Sequence, residues 1–240
     1  MKGPKVRVIH RDAAWMALDK PAGMPTTAPP GAGVASLTDR AKTIVPDARL
    51  HHPLSRLDVE VTGVVLFALT RKAAEAAERA RDAGDYRRLY VALLPAAPVP
   101  ATGEWTWAIS VDPRDANHRT TGAGADTKPA RTRYATVAVA PGGVALVVFR
   151  PVTGRTHQIR VHAAAAGVAV LGDVAYGGVR RCVLDDGGVV SAPRVMLHAW
   201  AVSIPGGPRV LADVPADMTA AWEAAGGDPA VVAAPPSGEL

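Results

Sequence analysis

Apolar and polar positions alternate along much of this chain, and the alternation breaks at Gly, Pro and charged clusters. VRVIH at 6–10 and WMALDKP at 15–21 read as two short strands joined by a turn at RDAA. A Pro- and Gly-rich loop, PTTAPPGAGV, follows, and residues 36–44 can close a short helix. LSRLDVEVTGVVLFALT at 54–70 ends in the unbroken apolar run VVLFAL, which predicts a buried strand. Thr70 can cap the next helix, RKAAEAAERARDA, where Glu75 and Arg79 stand four apart and Gly84 suits the stop. The apolar face of that helix is almost all alanine, so it should lie close against the sheet. Further strands are predicted at 87–94, 103–109, 131–140 and 144–152, the last two joined as a hairpin by PGG at 141–143. THQIRVHAAAAG reads as a helix from the Gly154 turn onward, followed by a loop rich in Gly and Arg. Strands at 195–204 and 210–214 and a short helix near 217–225 complete the pattern. These elements predict an α+β fold: one domain over residues 1–225 around a large mixed, mostly antiparallel sheet flanked by short helices and loops. Residues 226–240 read as a flexible tail.

Composition narrows the function classes. With 48% of 240 residues apolar, a sizeable core can be buried. The formal charge of +5, supplied largely by arginine, allows an anionic partner such as phosphate without proving one. A single cysteine, Cys182, forms no internal disulfide and fits a reducing compartment. The amino-terminal residues are broken by charges every few positions, unlike a secretory signal, and no apolar run approaches a membrane span. A cytoplasmic protein is the expectation. Phosphate-loop, zinc-protease, nucleophile-elbow and dinucleotide motifs are absent, and GAGAD at 122–126 lacks a third glycine. His157 and His162 are five apart and diverge on a helix, which argues against a metal site.

Two clusters carry chemistry. Arg56 and Asp58 precede the VVLFAL run, and in extended backbone residues two apart share a face. A neighbouring guanidinium favours the ionised carboxylate, and an ionised, partly dry carboxylate can act as nucleophile or base. Alone, the tripeptide is more plainly a structural ion pair at the mouth of a strand. TGRTHQIRVH at 153–162 shifts that balance: Arg155 stands at a helix start, and Arg160 lies about 140° around the helix from it. One arginine can meet phosphate while the other turns inward toward a carboxylate. Tyr90, on the strand that also carries Arg88, gains interest from this company. The basic stretch through Arg114, Arg119, Lys128, Arg131 and Arg133 can track phosphates, although a solvated loop explains it nearly as well.

Taken in order, these pieces resemble the RluA-type family of RNA pseudouridine synthases: LDKPAGMP at 18–25, SRLDVEVTG at 55–63, RRLYVALL at 87–94, KPARTRY at 128–134, PVTGRTHQIRVHAAAAGVAVLGDVAYG at 151–177 and MLHAWAVSIP at 196–205. The resemblance implies a cofactor-free isomerisation of uridine to pseudouridine on a flipped-out nucleotide of ribosomal or transfer RNA. Apart from the resemblance, no metal and a monomer are the expectation. It implies Asp58 as the essential carboxylate, Tyr90 as the base-stacking tyrosine, Arg160 as the arginine that pairs with the acid, and Arg56 as the residue that helps displace the base. Arg155, His157, Gln158, Ile159, Arg88 and Lys20 are the expected RNA-binding positions, with Ile159 walling the pocket. Ser55, Val61, Thr62 and Arg88 depart from the family's His, Thr, Ser and Lys. Because the resemblance starts within the first residues, no separate RNA-binding domain is expected ahead of it. The alternative is a non-catalytic RNA-binding or RNA-folding module on the same fold.

Overall fold

The computed structural model describes residues 5–29, 31, 33–122, 124–184 and 186–234. The chain opens with β1 (Arg7–Arg11), β2 (Trp15–Lys20), α1 (Leu37–Ile44), β3 (His52–Pro53), β4 (Thr62–Ala68) and α2 (Arg71–Asp82). It continues through β5 (Arg87–Leu94), β6 (Thr102–Trp105), β7 (Ile109–Asp112), β8 (Asp115–Thr121), β9 (Thr132–Val139) and β10 (Ala145–Pro151). After α3 (Gln158–Ala165) comes one 3-10 turn (Val174–Tyr176), then β11 (Arg181–Val183), β12 (Val189–Ser191), β13 (Leu197–Ser203), β14 (Arg209–Leu211), α4 (Ala216–Ala224) and α5 (Pro229–Ala233). The elements group into two compact units, one from residues up to Arg88 with His198–Asp213, the other from Leu89–Leu197 with the residues from Val214 on.

In the first unit β4 is the central strand, buried at all seven positions. It pairs antiparallel with β2 and parallel with β13, while β1 extends β2 and β14 extends β13. The parallel neighbour explains a glycine. Gly63 sits opposite Ala199 at φ +114, and a Cβ there would stand 2.2 Å from the Ala199 carbonyl oxygen. Helix α2 begins where the Thr70 hydroxyl accepts from the Ala73 amide, and it buries Ala73, Ala77 and Ala80 against Trp15, Val64, Leu66 and Val202. Side chains that stop at Cβ allow this close seating. Helix α1 starts with a reciprocal cap, Ser36 accepting from the Asp39 amide while the Asp39 carboxylate accepts from the Ser36 amide.

In the second unit β5, β10, β9 and β6 form an antiparallel array with β10 buried along most of its length. The predicted hairpin joins β9 to β10, closed by the Ala140 amide on the Val144 carbonyl at 2.8 Å. Trp105, Tyr134 and Phe149 pack on it, the first two with centroids 4.3 Å apart. The α+β class and the mixed, mostly antiparallel pairing match the expectation.

Some boundaries differ. The segment expected as one strand at 103–109 divides: β6 leaves β9 after Trp105, and the chain restarts as β7 to pair with β8. The polar residues 115–121, read as loop, form β8 because β7 supplies their partners. Helix α3 begins at Gln158, later than expected, since His157 takes a left-handed conformation at φ 56 and serves as N-cap. The Gly- and Arg-rich loop holds the short pair β11–β12. Residues 226–234, expected to be a flexible tail, carry α5, whose Val232 is fully buried, and the Trp222 indole donates to the Asp228 carbonyl at 2.8 Å. Residues 235–240 of that tail, and Pro30 and Ala32 of the early loop, lie outside the described residues.

Candidate active site

Asp58 lies in the irregular segment between β3 and β4, half-buried, with its flanking residues gripped by an earlier stretch of chain. The Leu57 amide donates to Thr26 Oγ1 at 2.9 Å, and that hydroxyl donates back to the Leu57 carbonyl at 3.0 Å. On the other side the Val59 carbonyl accepts from the Gly23 amide at 2.9 Å and from Lys20 Nζ at 3.1 Å. Beyond Asp58 a turn closes as its carbonyl accepts from the Val61 amide at 3.1 Å. Leu57 is buried, as the alternation predicts, and Arg56 is exposed.

Lys20 differs from expectation. It is fully buried, and its ammonium donates to the carbonyls of Met24 at 2.7 Å, Pro21 at 3.0 Å and Val59. Buried at the end of β2, Lys20 braces the acid's loop rather than facing outward as the expectation of an RNA contact had it. The departures at Val61 and Thr62 are absorbed by packing. Val61 is buried, and the Thr62 hydroxyl meets His198 Nδ1 at 2.8 Å while His198 Nε2 faces the Ala212 carbonyl at 3.3 Å. Arg88 is half-buried, its guanidinium 5.4 Å from the Tyr86 ring centroid.

In the second unit Arg160 points into the protein toward a carboxylate, that of Asp173. Nε meets Oδ2 and Nη2 meets Oδ1, both at 2.7 Å, with side-chain exposures of 8% and 0%. The paired geometry is the planar fork that favours arginine over lysine. Asp173 was not singled out in the sequence, although an acid within VAVLGDVAYG is a signal of the same kind as Asp58. The backbone around it is tight. Gly178 donates to the Asp173 carbonyl at 2.8 Å, and a Cβ on Gly178 would stand 2.1 Å from the Val170 carbonyl oxygen. Tyr90, in β5 opposite Phe149, is buried.

Other expected RNA positions separate into two groups. Gln158 is buried and works as an internal strut: its amide donates to the Arg131 carbonyl and Thr132 hydroxyl, and its oxygen accepts from the Thr153 hydroxyl and the Arg155 amide. Its donors and acceptor are turned inward, where the expectation had them facing RNA. Ile159 is buried as well. Arg155 and His157 are half-buried, Arg155 donating through Nε to the Pro129 carbonyl at 2.9 Å. Four of the five residues of the basic stretch meet acids: Arg114 meets Asp112, Lys128 meets Asp126, and Arg131 and Arg133 share Glu104, whose carboxyl they hold below the usual range, while Arg119 donates to the Ala116 and His118 carbonyls. Such exposed pairs are worth about 0–1 kcal/mol, little resistance to exchange for a phosphate.

Among the described residues no helix is long and apolar enough to cross a membrane. Residues 14–165 match the family model of RNA pseudouridylate synthases. The dual-specificity RNA pseudouridine synthase RluA of Salmonella typhi is 33% identical over 208 residues, 84% of this chain and 87% of that protein. Its counterpart in Escherichia coli (strain K12) is 32% identical over the same shares. Among solved structures, human RNA pseudouridylate synthase domain containing 4 superposes with a TM-score of 0.72 at 21% identity, covering 91% of this chain and 92% of that one. Human RNA pseudouridylate synthase domain containing 1 gives 0.70 at 23% identity, with 88% and 86% covered. With the fold shared along nearly the whole chain and the sequence match running through the segment that holds Asp58, the chain belongs to the RluA-type family of RNA pseudouridine synthases.

Proposed function

We propose that this protein isomerises uridines of structured RNA, ribosomal or transfer, to pseudouridine, with Asp58 as the essential carboxylate. The N1–C1′ glycosidic bond breaks, the uracil turns, and a C5–C1′ bond forms to the same sugar. The hydrogen at C5 leaves to solvent and N1 ends protonated, so atoms and electrons balance without cofactor or co-substrate. Asp58 attacks the sugar or base, or removes a sugar proton. Tyr90 stacks on the extruded base, worth about 1–3 kcal/mol against an extrusion cost of a few kcal/mol. The exposed Arg56 helps displace the base, and Arg160 supplies a guanidinium held in the dry by Asp173. Arg155 and His157 contact the RNA backbone. The lone cysteine fits a reducing compartment, so we take the protein to be cytoplasmic, and to act as a monomer.

The observation that carries the proposal is the grip on Leu57 and Val59, which fixes the backbone on both sides of a half-buried acid. A pure RNA-binding module gains nothing from holding a carboxylate ready before a polyanion. Cell RNA tritiated at uridine C5 should release tritium to water with the parent protein. Asp58→Asn should abolish release while filter binding to the same RNA persists. Equal release by that variant would refute the role of Asp58.

A further inference from the structure

We infer that Tyr176 is a positioning residue for Arg160 and ties the β7–β8 hairpin to it. The inference rests on the proposed role of Arg160. The 3-10 turn that follows Asp173 brings two groups to one guanidinium: the Asp173 carboxylate meets its edge, and the Tyr176 ring lies beneath its face, 4.9 Å from Cζ to centroid. An edge contact alone lets a guanidinium tilt about the axis of the paired bonds. A ring under the face removes that freedom, and the attraction of the cation for the ring quadrupole strengthens when water is excluded.

The other parts of the tyrosine reach further. Its ring packs against Ile109, Ala130 and Val161, and its hydroxyl accepts from the Arg119 amide of β8 at 3.0 Å. The same oxygen lies 2.6 Å from His157 Nδ1. His157 holds φ 56, uncommon for a residue other than glycine, and in that conformation its ring meets Tyr176 nearly edge-on. His118 of β8, bonded to Asp115 at 2.6 Å, approaches the same ring from another side. A residue needed only to fill space would not require a hydroxyl held between a hairpin amide and a histidine. Tyr176 therefore joins three elements, β8, the start of α3 and the Asp173 turn, at the guanidinium of Arg160. The ring governs turnover through Arg160, and the hydroxyl governs RNA binding through the hairpin.

Tritium release from C5-tritiated cell RNA tests both parts. Tyr176→Phe, which removes one hydrogen-bonding group, should raise KM for RNA about fivefold with a smaller change in kcat. Fluorinated phenylalanines at position 176 keep the ring's shape and so the fold, but weaken its quadrupole. Turnover should fall stepwise with fluorine count, by about tenfold at five fluorines. In an Arg160→Gln background, which offers the ring no cation, the residual turnover should show no further loss across the same series, since residues acting through one another are not additive. A flat fluorine series, or equal losses in both backgrounds, would overturn the inference. Failure of the underlying site is seen separately: there Asp58→Asn itself would release tritium like the parent.

Discussion

Replacing Asp173 with asparagine keeps the side chain's shape and one acceptor while removing the charge on which both 2.7 Å bonds to Arg160 depend. The pair is almost dry, at 8% and 0% side-chain exposure. Removing one partner from a buried pair typically costs about 3–5 kcal/mol. For a protein of this size each kcal/mol moves Tm by about 2–4 °C, so Asp173→Asn should lower Tm by roughly 6–20 °C. Calorimetry at neutral pH measures it, in about 0.1 M and about 1 M salt, because a buried pair is screened far less than an exposed one. The drop should be similar in both. The double variant Arg160→Met with Asp173→Leu should recover most of the stability, since apolar side chains can replace a buried pair at little cost, yet release no tritium. A Tm loss under about 2 °C, or a loss that disappears in salt, would refute the reasoning that places this pair out of water.

Three further outcomes are expected. Lys20→Met leaves three carbonyls without their ammonium, each unmet acceptor costing about 1–3 kcal/mol, so urea stability and turnover should both fall while RNA affinity holds; a variant that lost affinity alone would restore Lys20 as an RNA contact. Gly63→Ala should prevent soluble expression or reduce stability by more than about 3 kcal/mol, because both the positive φ and the Ala199 carbonyl oppose a Cβ; wild-type melting would contradict the parallel register. Burial lowers the pKa of His162 from the ordinary 6.5, against a hydrogen bond to the Trp107 carbonyl that raises it. The unfolded chain therefore takes up a proton first, and the stability present above about pH 6.5 is lost as pH falls toward the folded value. The urea midpoint should drop between about pH 7 and 5, and His162→Gln should flatten that slope; an unchanged slope would assign the effect elsewhere.

Strong periodicity made much of the fold legible. The VVLFAL run, the alanine face of α2 behind Thr70 and the β9–β10 hairpin each agree with the structure because local preference and burial point the same way. β8 was hidden because DANHRTT has no strand character of its own and depends on β7 for partners. The late start of α3 depends on one left-handed residue, His157, that no pattern announces. That one of Arg155 and Arg160 turns inward was legible from their separation of about 140° around the helix, whereas the partners Asp173 and Tyr176 required the turn geometry that brings residues thirteen and sixteen positions later onto the side chain of Arg160. Lys20 and Gln158, expected at the RNA, are buried for one physical reason. A charged or amide side chain beside a candidate site suggests a ligand contact, but a buried loop also needs its backbone polar groups satisfied, and these two residues do that.

The reciprocal bond between Thr26 and Leu57 has an entropic consequence. Ordering one residue's backbone costs about 1–2 kcal/mol. The backbone on either side of Asp58 is tied down when the protein folds, so under the proposed mechanism little of that cost is left for the arrival of a nucleotide. Exchange of the Leu57 and Gly23 amides with deuterium should accordingly be slow and synchronous, both before RNA arrives and after it departs.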